Sequence, residues 1–281
     1  MKKNIKKLLA FALSASILLV GCSSGGNEKQ GTAKEENKTA PEEQVLKIGA
    51  TPEPHAAILE SVKPALEKEG IKLDIQVFND YVIPNTALEE KDLDANYFQH
   101  QPYLDEFNAQ KGTHIVSAGT VHVEPMAVYS KKYTALSDLP EGATISLPND
   151  PTNGGRALIL LQKEGLIKLK DGAGLTATDK DIVENAKNFK FELLDAAQLP
   201  RTLDDVDASV INTNYALDAK LDPTKDALVV EDKESPYANI VAVREGETED
   251  PRIQALMKAL NSEETKKFIE ETYKGAIVPA F

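Results

Sequence analysis

Val45-Leu46-Lys47-Ile48-Gly49-Ala50 alternates apolar with other residues and runs into Thr51-Pro52-Glu53-Pro54, the pattern of a strand that ends in a loop. Residues 55–69 then set Ile58, Leu59, Val62 and Leu66 at helical spacing, with Gly70 as a C-cap and Pro64 predicted to kink or restart the helix. Residues 72–78 alternate again through Leu73, Ile75 and Val77. Strand, helix and strand in this succession make a βαβ unit, and the fold class is α/β.

Downstream the rhythm continues with a helix near 85–90, a strand near 95–99 and a helix opened by Pro102 and closed by Gly112. One long β segment is predicted over 115–129. The rhythm restarts near residue 140 with Thr144-Ile145-Ser146-Leu147, a turn through Asn153, and a helix from Gly154 to Glu164 closed by Gly165. Strands follow at 189–194, 208–212, 228–231 and 239–244, then helices at 250–260 and 263–273. The restart implies two lobes, 45–135 plus 236–281 and 136–235.

Upstream, residues 1–21 carry Lys2, Lys3, Lys6 and Lys7, no acid, and an apolar run shorter than the ~20 residues of a spanning helix. These are the parts of an export signal. It ends in Leu19-Val20-Gly21-Cys22, which resembles the lipobox of bacterial lipoproteins and predicts lipidation at Cys22. The segment 22–44 has almost nothing large and apolar to bury, so it reads as the lipidated Cys22 and a flexible tether.

The chain has 281 residues, with 32 Lys and Arg against 45 Asp and Glu, a formal charge of -13. That balance argues against a nucleic-acid partner, which needs a clustered basic surface. Without the signal, 28 bases against 45 acids leave -17, and anionic headgroups would repel such a body, so the lipid must hold it. A single cysteine excludes an internal disulfide. No nucleophile elbow, P-loop, zincin or dinucleotide signature occurs, so no enzyme activity and no cofactor are expected.

Four segments concentrate polar and aromatic groups at strand ends, where open α/β sheets bind ligands. In Pro148-Asn149-Asp150-Pro151-Thr152-Asn153-Gly154-Gly155-Arg156, an Asn153 cap and two glycines would bare backbone N–H groups at a helix start, with Arg156 in its first turn. Both features attract a carboxylate, although an N-cap and a solvated arginine fit the same spacing. Asn96-Tyr97-Phe98-Gln99-His100-Gln101-Pro102-Tyr103 places aromatics and a histidine at a strand-to-helix turn, where Phe98 and Tyr103 fit a core as well as a site. Val121-His122-Val123-Glu124-Pro125-Met126 and Ile211-Asn212-Thr213-Asn214-Tyr215 supply an imidazole and an amide pair. Asn85, Asn149 and Asn239 carry a weaker signal, because turns use Asn freely. A metal-ion site of His100, His122 and Glu124 is the competing reading, disfavoured by the charge of Arg156 nearby.

These four segments, in the chain order 97–103, 122–126, 148–153 and 211–215, resemble the NlpA family of methionine-binding lipoproteins, over the chain from about Leu46 to Phe281. The resemblance implies a two-lobed periplasmic-binding-protein-like fold (type II) with a ligand cleft between lobes. It implies capture of methionine, or of another small amino acid or dipeptide, outside the cytoplasmic membrane for an ABC importer with its own permease and ATPase. It implies that Arg156 binds the ligand carboxylate and that Asn212 or Asn214 with Asn239 holds the ammonium and carboxylate. Asn153 belongs to the same set, and Tyr81, Tyr97, Phe98, His100 and His122 would line the side-chain pocket.

Overall fold

A computed structural model describes residues 44–232 and 236–281, within one compact unit, Pro41–Phe281. The export signal, Cys22 and the tether up to residue 43 lie outside the described residues. Gln44, read as tether, already opens the first strand.

Strand β1 (Gln44–Ala50) buries Leu46 and Ile48 and leaves Lys47 exposed, as its alternation dictates. Helix α1 (Ala57–Lys68) buries Ile58, Leu59, Val62 and Leu66 along one stripe and packs on β2 (Ile71–Val77), which runs parallel to β1. The helix passes through Pro64 without the predicted restart. Pro64 and Glu60 lie on its exposed face, where water can take the Glu60 carbonyl that the proline leaves unbonded.

Helix α2 (Ile83–Glu89) leads to β3 (Ala95–His100), parallel to β1. Helix α3 (Gln101–Lys111) opens on the His100 side chain, which accepts from the Tyr103 N–H, and closes on Gly112 at φ 69°. Strand β4 (Ile115–Val123) does not continue to residue 129 as predicted. Pro125 cannot donate to a ladder, and the chain leaves the first sheet at Glu124-Pro125-Met126. Strand β5 (Ala127–Tyr129) enters a second sheet, so the crossing falls ahead of the 135/136 boundary drawn from the rhythm.

The second sheet continues with β6 (Thr144–Pro148), which feeds helix α4 (Pro151–Lys163). Two short strands, β7 (Lys168–Leu169) and β8 (Ile182–Glu184), form a separate antiparallel pair too brief to read from alternation. Strands β9 (Lys190–Leu194) and β10 (Ala208–Ile211) flank β6 in parallel. After helix α5 (Thr213–Asp218), β11 (Ala227–Val230) pairs antiparallel with β5, giving the order β11-β5-β10-β6-β9.

The chain then returns to β12 (Ala238–Arg244), antiparallel to both β3 and β4. Helices α6 (Pro251–Leu260) and α7 (Glu263–Tyr273) and strand β13 (Val278–Pro279) complete the first sheet, ordered β13-β4-β12-β3-β1-β2. Each sheet has its own core: Ile48, Leu59, Val241 and Leu256 in the first, Val128, Ile145, Leu161 and Val210 in the second.

Helix α4 starts a turn earlier than predicted. Asp150 is the cap, accepting from the Asn153 N–H, and Pro151 fits the first turn, which has no use for a proline N–H. Asn153, Gly154 and Arg156 are therefore inside the helix, and the Gly154 N–H is spent on the Asp150 carbonyl. The two glycines serve close packing instead. A Cβ on Gly155 would stand 2.2 Å from the Leu175 carbonyl oxygen, and one on Gly154 2.8 Å from that of Pro148. Gly155→Ala should cost about 1–3 kcal/mol of stability by overpacking. The readout is a lower urea midpoint at unchanged slope; a midpoint equal to wild type would show that the backbone at Leu175 yields freely.

Candidate functional site

Residues at or just after the ends of β3 in the first sheet and of β6 and β10 in the second line a common cavity, the position open α/β sheets give to ligands. His100 ends β3, Asn153 and Arg156 lie on the helix after β6, and Asn212, Thr213 and Asn214 follow β10. The cavity has about 330 Å³ of enclosed and open space together. Of the residues expected at the site, Tyr81, Phe98, His100, Asn153, Arg156, Asn212, Asn214 and Asn239 line it.

Its walls divide by chemistry. Tyr81, Phe98 and Tyr103 form an aromatic end, with the Tyr81 ring centroid 5.8 Å from that of Phe98 and 5.7 Å from that of Tyr103. Tyr81 is held by its hydroxyl, which donates to Asn214 Oδ1 at 2.6 Å. Asn214 is thereby committed to orienting an aromatic ring.

The polar end is a chain of amides and charges. Asn153 Oδ1 accepts from His100 Nε2 at 3.2 Å and from Asn212 Nδ2 at 2.8 Å, while its Nδ2 donates to Asp150. Asn212 Oδ1 is buried and has no partner among the described residues, a costly state unless something arrives to donate to it. Arg156, buried on all sides but the cavity, donates from Nε to Glu231 at 3.0 Å and from Nη2 to Glu231 and to the Glu124 carbonyl at 2.7 Å. Its Nη1 makes no hydrogen bond among the described residues. The Tyr237 ring covers the guanidinium face, 4.2 Å from the centroid to Cζ.

Tyr97 and His122, both expected in the pocket, stand behind its wall. The Tyr97 hydroxyl bonds His122 Nδ1, and His122 Nε2 donates to Glu124 Oε1 at 2.8 Å. His55 Nε2 lies 3.1 Å from the same Oε1 and 3.1 Å from Asn239 Oδ1, and His55 Nδ1 meets the Thr51 hydroxyl at 2.7 Å. Glu124 itself reaches the cavity, and its Oε2 has no hydrogen-bond partner among the described residues. Asn85 serves a buried amide cluster with Asn96 and Gln99, and Asn149 stands exposed.

His100 does not join His122 and Glu124, which corrects the metal trio read from the sequence. Its Nδ1 is spent on the Tyr103 N–H and its Nε2 on Asn153. Among the described residues, the three groups close enough to share one ion are His55, His122 and Glu124, and they are already joined by hydrogen bonds to Oε1.

Burial alone would raise the Glu124 pKa, but His55 and His122 outweigh it and hold the carboxyl well below the usual range. Burial pushes His122 down. Burial, then the charge of Arg156, brings His100 to about 3. The site thus holds an anion at Glu124, a cation at Arg156 and neutral imidazoles at His100 and His122.

The chain matches the model of the NlpA lipoprotein family over residues 46–281. It is 44% identical over 280 residues to the probable D-methionine-binding lipoprotein MetQ of Vibrio cholerae, covering 99% of each chain. It is 43% identical over 270 residues to the D-methionine-binding lipoprotein MetQ of Escherichia coli K12, covering 95% of this chain and 94% of that one. A nutrient-binding protein from Burkholderia cenocepacia, solved bound to methionine, superposes with a TM-score of 0.82 at 53% identity over 84% of this chain and 100% of that one. The fold is the two-lobed, periplasmic-binding-protein-like α/β fold expected from the sequence.

The depressed imidazole at His100 has a consequence for stability. Unfolded, His100 takes up a proton below about pH 6.5, whereas the folded chain refuses it until about 3. Stability is fully present above 6.5 and falls as the pH drops toward 3, by about 1.4 kcal/mol per pH unit for each such proton. His100→Gln should therefore flatten the loss of unfolding free energy between pH 6.5 and 5 by about one proton. Urea titrations across that window measure it; parallel slopes for mutant and wild type would mean that His100 protonates freely in the fold.

Proposed function

The chain belongs to the NlpA lipoprotein family, and from that premise we propose that it captures methionine in this cavity outside the cytoplasmic membrane and delivers it to an ABC importer. One observation carries the reading: a small cavity is lined by Asn212, whose buried Oδ1 has no partner among the described residues, by the ionised Glu124 and by the Arg156 guanidinium, whose Nη1 makes no hydrogen bond among the described residues. That is the complement of a zwitterion. The ammonium would donate to Glu124 and Asn212, and the carboxylate would take the Nη1 edge of Arg156, so each buried charge gains the partner it needs. Asn239 and Asn153 complete the polar wall.

The side chain then extends toward Tyr81, Phe98 and Tyr103. A thioether gains about 0.3–1.5 kcal/mol per aromatic contact, which suits methionine better than a polar side chain of the same length. The two lobes supply opposite walls, so a bound ligand favours the closed state, which reports occupancy to the importer.

The role is binding and not turnover. A general acid or base is poised near the working pH, whereas Glu124 here is held ionised and His100 and His122 are held neutral. A lipid on Cys22 would tether the body to the extracytoplasmic face.

Calorimetric titration of L-methionine tests the site. Arg156→Ala should weaken binding by at least roughly tenfold to a hundredfold, the scale of one or two charge-assisted hydrogen bonds. Arg156→Lys should recover only part, because an ammonium lacks the planar fork. Unchanged affinity in an Arg156→Ala protein that melts like wild type would remove Arg156 from the site. For the anchor, Cys22→Ala should leave the membrane fraction, and a mutant still carrying diacylglycerol at its N-terminus would sink that part of the reading.

A further inference from the structure

Glu231 follows β11, in the second of the two segments that cross between the sheets. Its backbone N–H donates to the Met126 carbonyl at 2.8 Å, and the Met126 N–H donates to Glu231 Oε2 at 3.2 Å, so it is also bonded to the first crossing. From that place its carboxylate grips Arg156. Nε lies 3.0 Å from Oε1 and 3.1 Å from Oε2, and Nη2 reaches Oε2 as well. Nη2 also donates to the Glu124 carbonyl, and Tyr237 covers one face of the guanidinium. Every edge of the guanidinium but Nη1 is thereby occupied.

We infer that Glu231 is a positioning residue for carboxylate recognition, fixing the guanidinium plane of Arg156 so that its Nη1 edge is presented to the cavity. The inference rests on the reading that Arg156 receives the ligand carboxylate. A planar fork recognises a carboxylate only when its plane is set, and an arginine released from Glu231 has several rotatable bonds over which to lose that setting. Coulomb's law alone gives the opposite expectation. Glu231 is an anion beside the place where the ligand carboxylate goes, so removing it would strengthen binding if charge were all that mattered. The two effects differ in sign, and binding can decide between them.

The experiment titrates L-methionine and L-methioninol, in which a hydroxymethyl replaces the carboxylate, into wild type, Glu231→Gln, Glu231→Asp, Arg156→Gln and the double Arg156→Gln/Glu231→Gln protein. Glu231→Gln should weaken methionine by about tenfold or more while leaving methioninol nearly unchanged, since only the carboxylate uses the set edge. Glu231→Asp keeps the charge and shortens the reach, so it should show the same selective loss at smaller size, and it stands in should Glu231→Gln not fold. The double variant should bind methionine no worse than Arg156→Gln, because Glu231 acts only through Arg156. Tighter methionine binding by Glu231→Gln, or an equal loss for both ligands, overturns the inference. If Arg156→Gln itself fails to discriminate between the ligands, the carboxylate reading falls and the inference with it. If Arg156→Gln discriminates and neither Glu231 variant does, the inference falls alone.

Discussion

A guanidinium 3% exposed cannot stand without compensation, and in this fold the groups that compensate Arg156 come from both crossings between the sheets. The Glu124 carbonyl belongs to the first crossing, Glu231 and Tyr237 to the second, and Arg156 to the helix of the second lobe. The same buried charge therefore joins the two crossing segments and lines the cavity. The packing around it follows: Gly154 and Gly155 bring the backbones at Pro148 and Leu175 against α4, and Asp150 starts the helix early enough to place Arg156 in its second turn. A larger residue at either glycine would move that helix, and the guanidinium with it.

The opposite pole depends on the same rule applied to an anion. Glu124 is buried, and its ionised form survives because two imidazoles donate to one oxygen while the other remains open to the cavity. Tyr97 and Thr51 orient those imidazoles from behind. Tyr97 and His122 are thus joined to the cavity through Glu124 and do not line it. An amino acid's head group presents both signs of charge within a few bonds, and a cavity with fixed poles of both signs loses little in reorganisation when it binds one.

Local pattern carried most of the fold. β1, α1 and β2 were legible because alternation and helical spacing span whole elements there, and α7 over Glu263–Tyr273 was read to its bounds from the same spacing. The three residues of β5 and the pair β7 and β8 are too short to show a period, so the first crossing was drawn too late. Pro64 misled because a proline's cost depends on whether water reaches the freed carbonyl, which spacing does not encode. At the site, the residues that follow strands or sit in a helix start were legible. Tyr97 was misplaced beside Phe98 because neighbours on a strand face opposite sides. Glu124 entered only the disfavoured metal reading, and His55 and Glu231 were missed. Glu231 meets Arg156 across 75 positions of chain and His55 meets Asn239 across 184, separations at which no local pattern speaks.

In the proposed binding mode the cavity is oriented, with its charged groups at Glu124 and Arg156 and the ligand side chain among Tyr81, Phe98 and Tyr103. A crystal structure of the protein with free L-selenomethionine, recorded at the selenium absorption edge, tests this most directly, because the ligand's selenium marks its own position. The expected result is an anomalous peak among the rings of Tyr81, Phe98 and Tyr103 with carboxylate density at Arg156 Nη1. A peak beside Glu124 or Arg156, with the head group turned toward the aromatic end, would contradict it.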